Sequence, residues 1–301
     1  MTRFVVNALT FTPLRIDYGE SCNVIVGTLG ELCKFKQEPN LEQQVRPFPA
    51  QVTSGVVLED RWIGTWVDHE LKYARMAALP LDTEWSDGIG REHIRISEQG
   101  TNQYDPAGAI WSQSLDSEPM ALTKVDYGFC FAILGRGIYY MDGDANEIWR
   151  VSIPVIGKLT KGSYLEINSI FQSGEELHVF YGNNSIAILD KKNGSLLRNS
   201  NLRLPNRIES VFQHESRYLI SMATGGIAIL EDIEQEITIH KTPGPVIDAH
   251  YCESGWMWTG WRHDGKLCNG RVETVPRRDI GVAIIEERVL SNDGVWSDFG
   301  L

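Results

Sequence analysis

One pattern recurs along this chain and limits its fold more than any other feature. An apolar run of four to seven residues is followed by a tight Gly or Asn turn and a second apolar run, after which comes a polar turn. It stands clearest as Phe131-Ala-Ile-Leu-Gly-Arg-Gly-Ile-Tyr-Tyr-Met-Asp142, His178-Val-Phe-Tyr-Gly-Asn-Asn-Ser-Ile-Ala-Ile-Leu-Asp190 and Tyr218-Leu-Ile-Ser-Met-Ala-Thr-Gly-Gly-Ile-Ala-Ile-Leu230. The runs are rich in Val, Ile, Tyr, Phe and Trp, which suit a pleated, half-buried surface, so they read as strands. No stretch keeps i, i+3, i+4, i+7 apolar spacing over three turns, and the best attempt, His69 to Leu79, starts inside a strand-like run. Helix is expected to be a minor component.

Earlier copies are Asn23–Gly27 with Gly30–Lys34 and Arg61–Thr65 with Leu71–Arg75, and the last is Trp256–Gly265. Marking the second apolar residue of the first strand of each copy, at Val24, Trp62, Ile133, Val179, Leu219 and Trp258, gives steps of 38, 71, 46, 40 and 39. The double step implies a degenerate copy between Leu81 and Thr123, with His93–Ser97 and Ala109–Gln113 as its strands. The average unit is then 39 residues, and the chain has room for seven. Four strands of about five residues plus turns need roughly 40 residues, so each unit is expected to be one four-stranded sheet. Six units with a longer insertion at 81 to 123 is the alternative. An open sheet edge invites association. Arg3–Phe11 and Gly281–Leu290 both read as strands, and the expectation is that the two termini pair to close the ring of a single domain, 1–301.

Two of the turns carry a finer signature, Ile138-Tyr-Tyr-Met-Asp-Gly-Asp-Ala-Asn-Glu-Ile-Trp-Arg150 and Ile186-Ala-Ile-Leu-Asp-Lys-Lys-Asn-Gly-Ser-Leu-Leu-Arg198. A strand ends in Asp, whose carboxylate accepts backbone N–H groups at the turn; Asn and Gly supply the turn conformations, and the next strand brings Trp or Leu. This resembles the blade signature of WD40-like and quinoprotein-like β-propellers. The resemblance implies an all-β propeller of about seven four-stranded blades. The sequence has no vicinal cysteine pair of the quinone-cofactor enzymes, and no cofactor is expected.

The charge balance, 28 Lys+Arg against 40 Asp+Glu, gives −12 and works against nucleic acid and anionic membranes, whose affinity comes from cations. No apolar run approaches the length of a membrane-spanning helix, and no secretory signal is evident. Five scattered cysteines fit reduced core thiols, hence a cytoplasmic protein.

Several groupings invite a chemical reading. His250, Cys252, His263 and Cys268 have intervals of 2, 11 and 5, which do not follow zinc-ligand spacing, so no metal is assigned. Asp142, Asp144 and Asn146 alternate as in a calcium loop but lack its Gly and Glu positions, leaving a solvated turn. Glu231-Asp-Ile-Glu-Gln-Glu236 reads as a solvated hairpin. Trp256, Trp258 and Trp261 read chiefly as wedges between blades. No residue is assigned a catalytic role.

The leading functional expectation is a non-catalytic platform that binds protein partners, a scaffold or adaptor subunit of a complex. Its docking residues are expected in the irregular 81 to 123 segment, at Trp85, Trp111 and Tyr104, and at the one dense basic spot, Arg277 and Arg278. The alternative is an enzyme or small-ligand binder at the channel mouth, for example a hydrolase, with Asp68, Asp87 and Asp126 converging on His69 or His93.

Overall fold

Each pair of apolar runs becomes the middle of an antiparallel meander in the computed structural model, which describes residues 9–36, 41–97, 104–156 and 166–301. Among the described residues the strands form seven sheets, every one in simple sequence order. The first holds β1 (Pro13–Asp17), β2 (Asn23–Gly27) and β3 (Leu32–Phe35), and the second β4 (Gln51–Val57), β5 (Arg61–Asp68), β6 (Tyr73–Pro80) and β7 (Trp111–Leu115). One helix, α1 (Arg91–Ser97), lies between β6 and β7. The third sheet holds β8 (Pro119–Val125), β9 (Gly128–Ile133), β10 (Gly137–Asp142) and β11 (Glu147–Val151). The fourth has β12 (Ile167–Ser173), β13 (Glu176–Tyr181), β14 (Ser185–Asp190) and β15 (Leu196–Asn201). The fifth has β16 (Ile208–His214), β17 (Arg217–Met222), β18 (Ile227–Leu230) and β19 (Thr238–His240). The sixth comprises β20 (Val246–Cys252), β21 (Gly255–Gly260), β22 (His263–Cys268) and β23 (Arg271–Pro276), and the seventh β24 (Gly281–Ile285), β25 (Arg288–Ser291) and β26 (Trp296–Asp298).

The chain divides into two compact units, Met1–Ile148 and Trp149–Leu301. In the first, the opening strands β1, β4 and β8 are neighbours in that order; in the second, β12, β16, β20 and β24 are. The middle strands are buried on both faces, and the core of each unit lies between adjacent sheets. In the first unit Val24, Phe48, Trp62, Trp66 and Leu79 form one such layer, and in the second Phe180, Ile186, Tyr218, Ile220 and Leu230 form another. Each side chain so buried contributes roughly 1.5–3 kcal/mol relative to exposure, which is why these runs had to be apolar.

All seven sheets share a device that has no side-chain signature. The pairing of the opening strand with the second slips by one residue just inside its start, at Pro13/Arg15, Val52/Ser54, Pro119/Ala121, Ile167/Ser169, Ile208/Ser210, Val246/Asp248 and Gly281/Ala283. A bulge of this kind sharpens twist and re-aims one side chain. In the second unit Asn168, the bulge residue of β12, donates its side-chain amide to the backbone carbonyl of Glu209, the bulge residue of β16 (3.0 Å).

Several sequence expectations are corrected. The degenerate copy at 81 to 123 is not a sheet of its own: residues 81–110 are a long excursion between the third and fourth strands of the second sheet, 111–115 is that fourth strand, 119–123 opens the third sheet, and the seventh sheet lies instead at 281–298. His93–Ser97 alternates like a strand yet sits in α1, because Ile94 turns into the Trp62/Trp85 core and the Arg91 side chain is held by Asp68 and Glu70. Ala109–Gln113 supplies only the start of β7, and Gly281–Leu290 is two strands. Among the described residues the first and last sheets have three strands each; in the first, Val45 takes the outer place by exchanging backbone hydrogen bonds with Leu32 (2.7 and 3.0 Å). The expected closing strand, 3 to 11, falls mostly outside the described residues.

Candidate interaction site

The excursion that was expected to present tryptophans is fastened down instead. Trp85 is 5% exposed, its ring packs on Trp62 (6.0 Å between centroids), and its indole N–H donates to the Pro80 carbonyl (2.6 Å). Lys34, itself buried, donates its ammonium to the Leu81 and Thr83 carbonyls (3.1 and 2.6 Å), pairs with Glu42, and lies 5.0 Å from the Trp85 ring centroid. Gly88 N–H donates to the Arg46 carbonyl and Ala107 N–H to that of Pro47, while the Asp87 carboxylate accepts the Arg46 N–H. Trp85 therefore offers no ring to a partner: burying it is what ties the excursion to the core.

Trp111 is half-buried, stacked on Phe129 (5.9 Å) and donating to the Gly143 carbonyl (2.9 Å). Tyr104 is also half-buried, edge-on to His93 at 6.2 Å. Arg277 forms a two-pronged ion pair with Asp264, which is 1% exposed and also accepts the Thr259 hydroxyl and the Gly300 N–H. Arg278 is exposed. The basic spot thus holds one arginine bound to a buried carboxylate and one exposed arginine.

The carboxylates considered for an enzyme do not converge. Asp68 caps the Leu71 N–H and binds Arg91, holding its carboxyl below the usual range; Asp87 caps Arg46, and Asp126 sits on the turn between β8 and β9. His69 lies 4.0 Å from Glu118. His250 and Cys252 lie on β20 and His263 and Cys268 on β22, with β21 between them. Among the described residues no cluster of His, Cys, Asp or Glu could hold a metal ion. Asp142 accepts the N–H groups of Asp144 and Asn146 (both 2.9 Å), the turn-capping role expected of it.

A groove of about 560 Å³ lies in the second unit, between the outer parts of the fourth and fifth sheets. Its apolar lining comes from Ile188, Leu202, Ile233, Ile237 and Ile239. One wall is β15, the last strand of its sheet, all six of whose residues are exposed. Leu196 and Leu197 are 45% and 48% exposed. The other wall is β19 and the acidic segment before it. Ile233 explains that segment: it is the apolar residue inside Glu231–Glu236, and it packs with Leu204 and Ile237 on the core between the two sheets.

Polar groups order the β15 wall. Arg198 donates to both oxygens of Glu176 (2.8 and 3.1 Å) and approaches Glu234 at 3.4 Å. Glu176 also meets His178 Nε2 at 3.1 Å. Burial raises the Glu176 carboxyl, but Arg198 and His178 outweigh it and leave it below its ordinary value. Sequence reasoning missed this site because an outer strand exposed all round, Leu196-Leu-Arg-Asn-Ser-Asn201, shows no periodicity; the one available signal was Ile233 among acidic residues.

No family model matches the chain, and no curated protein matches it. Solved structures do. The WD40 β-propeller domain of Doa1 is similar over 96% of this chain and 93% of its own (TM-score 0.62, 10% identity). The computationally designed Ika8 protein matches over 96% of both chains (TM-score 0.63, 9% identity), and BamB from Moraxella catarrhalis over 94% of this chain and 82% of its own (TM-score 0.59, 12% identity). At these identities the likeness concerns the fold alone, and the fold is a β-propeller of seven blades, as the turn signatures implied.

Proposed function

We propose that this protein is a non-catalytic interaction platform, a cytoplasmic scaffold or adaptor that binds protein partners and not nucleic acid. The observation that carries the reading is the groove beside β15, where a strand edge unpaired among the described residues adjoins an apolar floor. Native sheets usually blunt such edges, so one left open beside a concave apolar surface is suited to another polypeptide. The five free cysteines, three of them buried, support a reducing compartment. The net charge of −12 supports protein rather than nucleic-acid partners.

The test is affinity purification from native lysate with wild type and with the Leu196→Lys/Leu197→Lys double variant, both checked for folding. A specific co-purifying protein lost in the variant is expected. No specific protein with either form would overturn the platform reading; a partner retained by the variant would move its surface away from β15.

A further inference from the structure

The groove's charges define its occupant. In the second unit the other outer strands are guarded: β19 and β26 are three residues long, and β23 carries Arg271, Glu273 and a terminal Pro276. Short length, charge and proline are the ordinary defences of a sheet edge. β15 has six residues and no proline, with Leu196 and Leu197 at its entry; its one charge, Arg198, is taken up by Glu176, and its one bulge, opposite Ile188/Leu189, lies at that entry. Among the described residues its backbone pairs with β14 alone, so the groups on its other edge are open there to a further strand.

Two groove residues keep charges with no partner among the described residues. Arg203 follows the exit of β15, and Glu236 precedes β19. Both sheets run in the same order, so Glu236 stands at the entry end of β15 and Arg203 at its exit end. Six residues of strand span roughly 20 Å, the length of peptide that would lie between these two charges.

Resting on the platform reading, we propose that the groove binds an extended segment of a partner protein, about seven residues long, as a fifth strand antiparallel to β15. Every pairing in this sheet is antiparallel, which sets the direction. The segment has an acidic residue at its N-terminal end beside Arg203, a basic residue at its C-terminal end beside Glu236, and β-branched apolar residues at alternate positions between them. Those apolar side chains enter the groove over Ile233, Ile237 and Ile239, and the backbone supplies hydrogen bonds to the open edge.

The probe is fluorescent Asp-Thr-Ile-Thr-Val-Thr-Lys, with an array of heptamers varying its two apolar positions, titrated by anisotropy against the full chain. Binding in the micromolar range is expected for the best members. N-methylation of one alternate set of amides should weaken binding at least tenfold and methylation of the other set should not, the one-sided response of strand addition. The charge-reversed peptide should bind several-fold more weakly, and the Arg203→Glu/Glu236→Lys variant should invert that preference. Absence of binding across the array, or equal tolerance of both methylated sets, would overturn the proposal while leaving the platform reading to the co-purification test. So would concentration-dependent dimerisation through β15, read by sedimentation and abolished by Leu197→Lys, which would assign the edge to a second copy of the chain.

Discussion

His178 Nδ1 lies 2.7 Å from the hydroxyl of Tyr218, forty residues further along, at the interface between the fourth and fifth sheets. The two occupy corresponding second strands, β13 and β17, and they are one side of a chain of contacts: Glu176 to His178 Nε2, and the Gln213 side-chain amide to the Tyr218 hydroxyl (3.2 Å). A one-repeat offset thus becomes a cross-sheet hydrogen bond. Both residues are buried, so neither polar group has water to fall back on.

Burial holds the His178 pKa below its ordinary value, with Glu176 opposing. Protonation therefore favours the unfolded chain: the contribution of His178 is intact above the unfolded pKa of about 6.5 and is lost as pH falls below it. His263 has the same sign and His250, raised by Asp248 against the effect of burial, the opposite one. The expected outcome is that wild type loses melting temperature between pH 7.5 and 5 and that His178→Phe removes part of the loss. Tyr218→Phe should cost about 1–3 kcal/mol at neutral pH, because it leaves a buried imidazole short of a partner. An identical pH slope in wild type and His178→Phe would contradict this assignment.

Trp85→Ala should act on stability, with an expected cost of about 3–5 kcal/mol in chemical denaturation, the usual range for emptying an aromatic core site. Lys34→Met keeps the packing over Trp85 but removes the donor to Leu81 and Thr83, and should cost about 1–3 kcal/mol. A Trp85→Ala variant as stable as wild type would mean that the excursion is not anchored through that ring.

Arg277 and Arg278 are adjacent in sequence and should differ sharply. Arg277→Ala strands the buried Asp264 carboxylate and is expected to cost about 3–5 kcal/mol, whereas Arg278→Ala should stay within about 0.5 kcal/mol. Thermal melts of the two variants check this, and equal effects would refute the division.

Thiol reactivity separates the cysteines by depth. Burial pushes the Cys33 thiol up to about 12 and raises those of Cys22 and Cys130, so these three should resist a thiol reagent until the chain unfolds. Cys252 and Cys268, half-exposed, should react in the native state. Mass spectrometry after brief labelling at pH 8 reads the order, and early labelling of Cys130 would be incompatible with its place in β9.

The blade unit was legible in the sequence because β9, β13, β14, β17 and β18 are covered on both faces, and a strand with no solvent face must be written as an unbroken apolar run. Asp142 and Asp190 were legible at their turns for an equally local reason, since each carboxylate bonds backbone N–H groups two residues on. What lay beyond local reading depended on partners distant in the chain. The alternation of His93–Ser97 fits a strand as well as a helix, and the side chains that decided for α1, Asp68 and the Trp62 core, come from β5. An aromatic in an irregular segment is written the same way whether it meets a partner or, like Trp85, the chain's own Lys34 and Pro80. The groove was hidden for the complementary reason: β15 is exposed all round and so carries no periodic mark, and only tertiary structure sets it beside Ile233, Ile237, Arg203 and Glu236. Burial leaves a pattern in sequence because it constrains every residue of a run, whereas a concave surface arises from the juxtaposition of two sheets and constrains no single run.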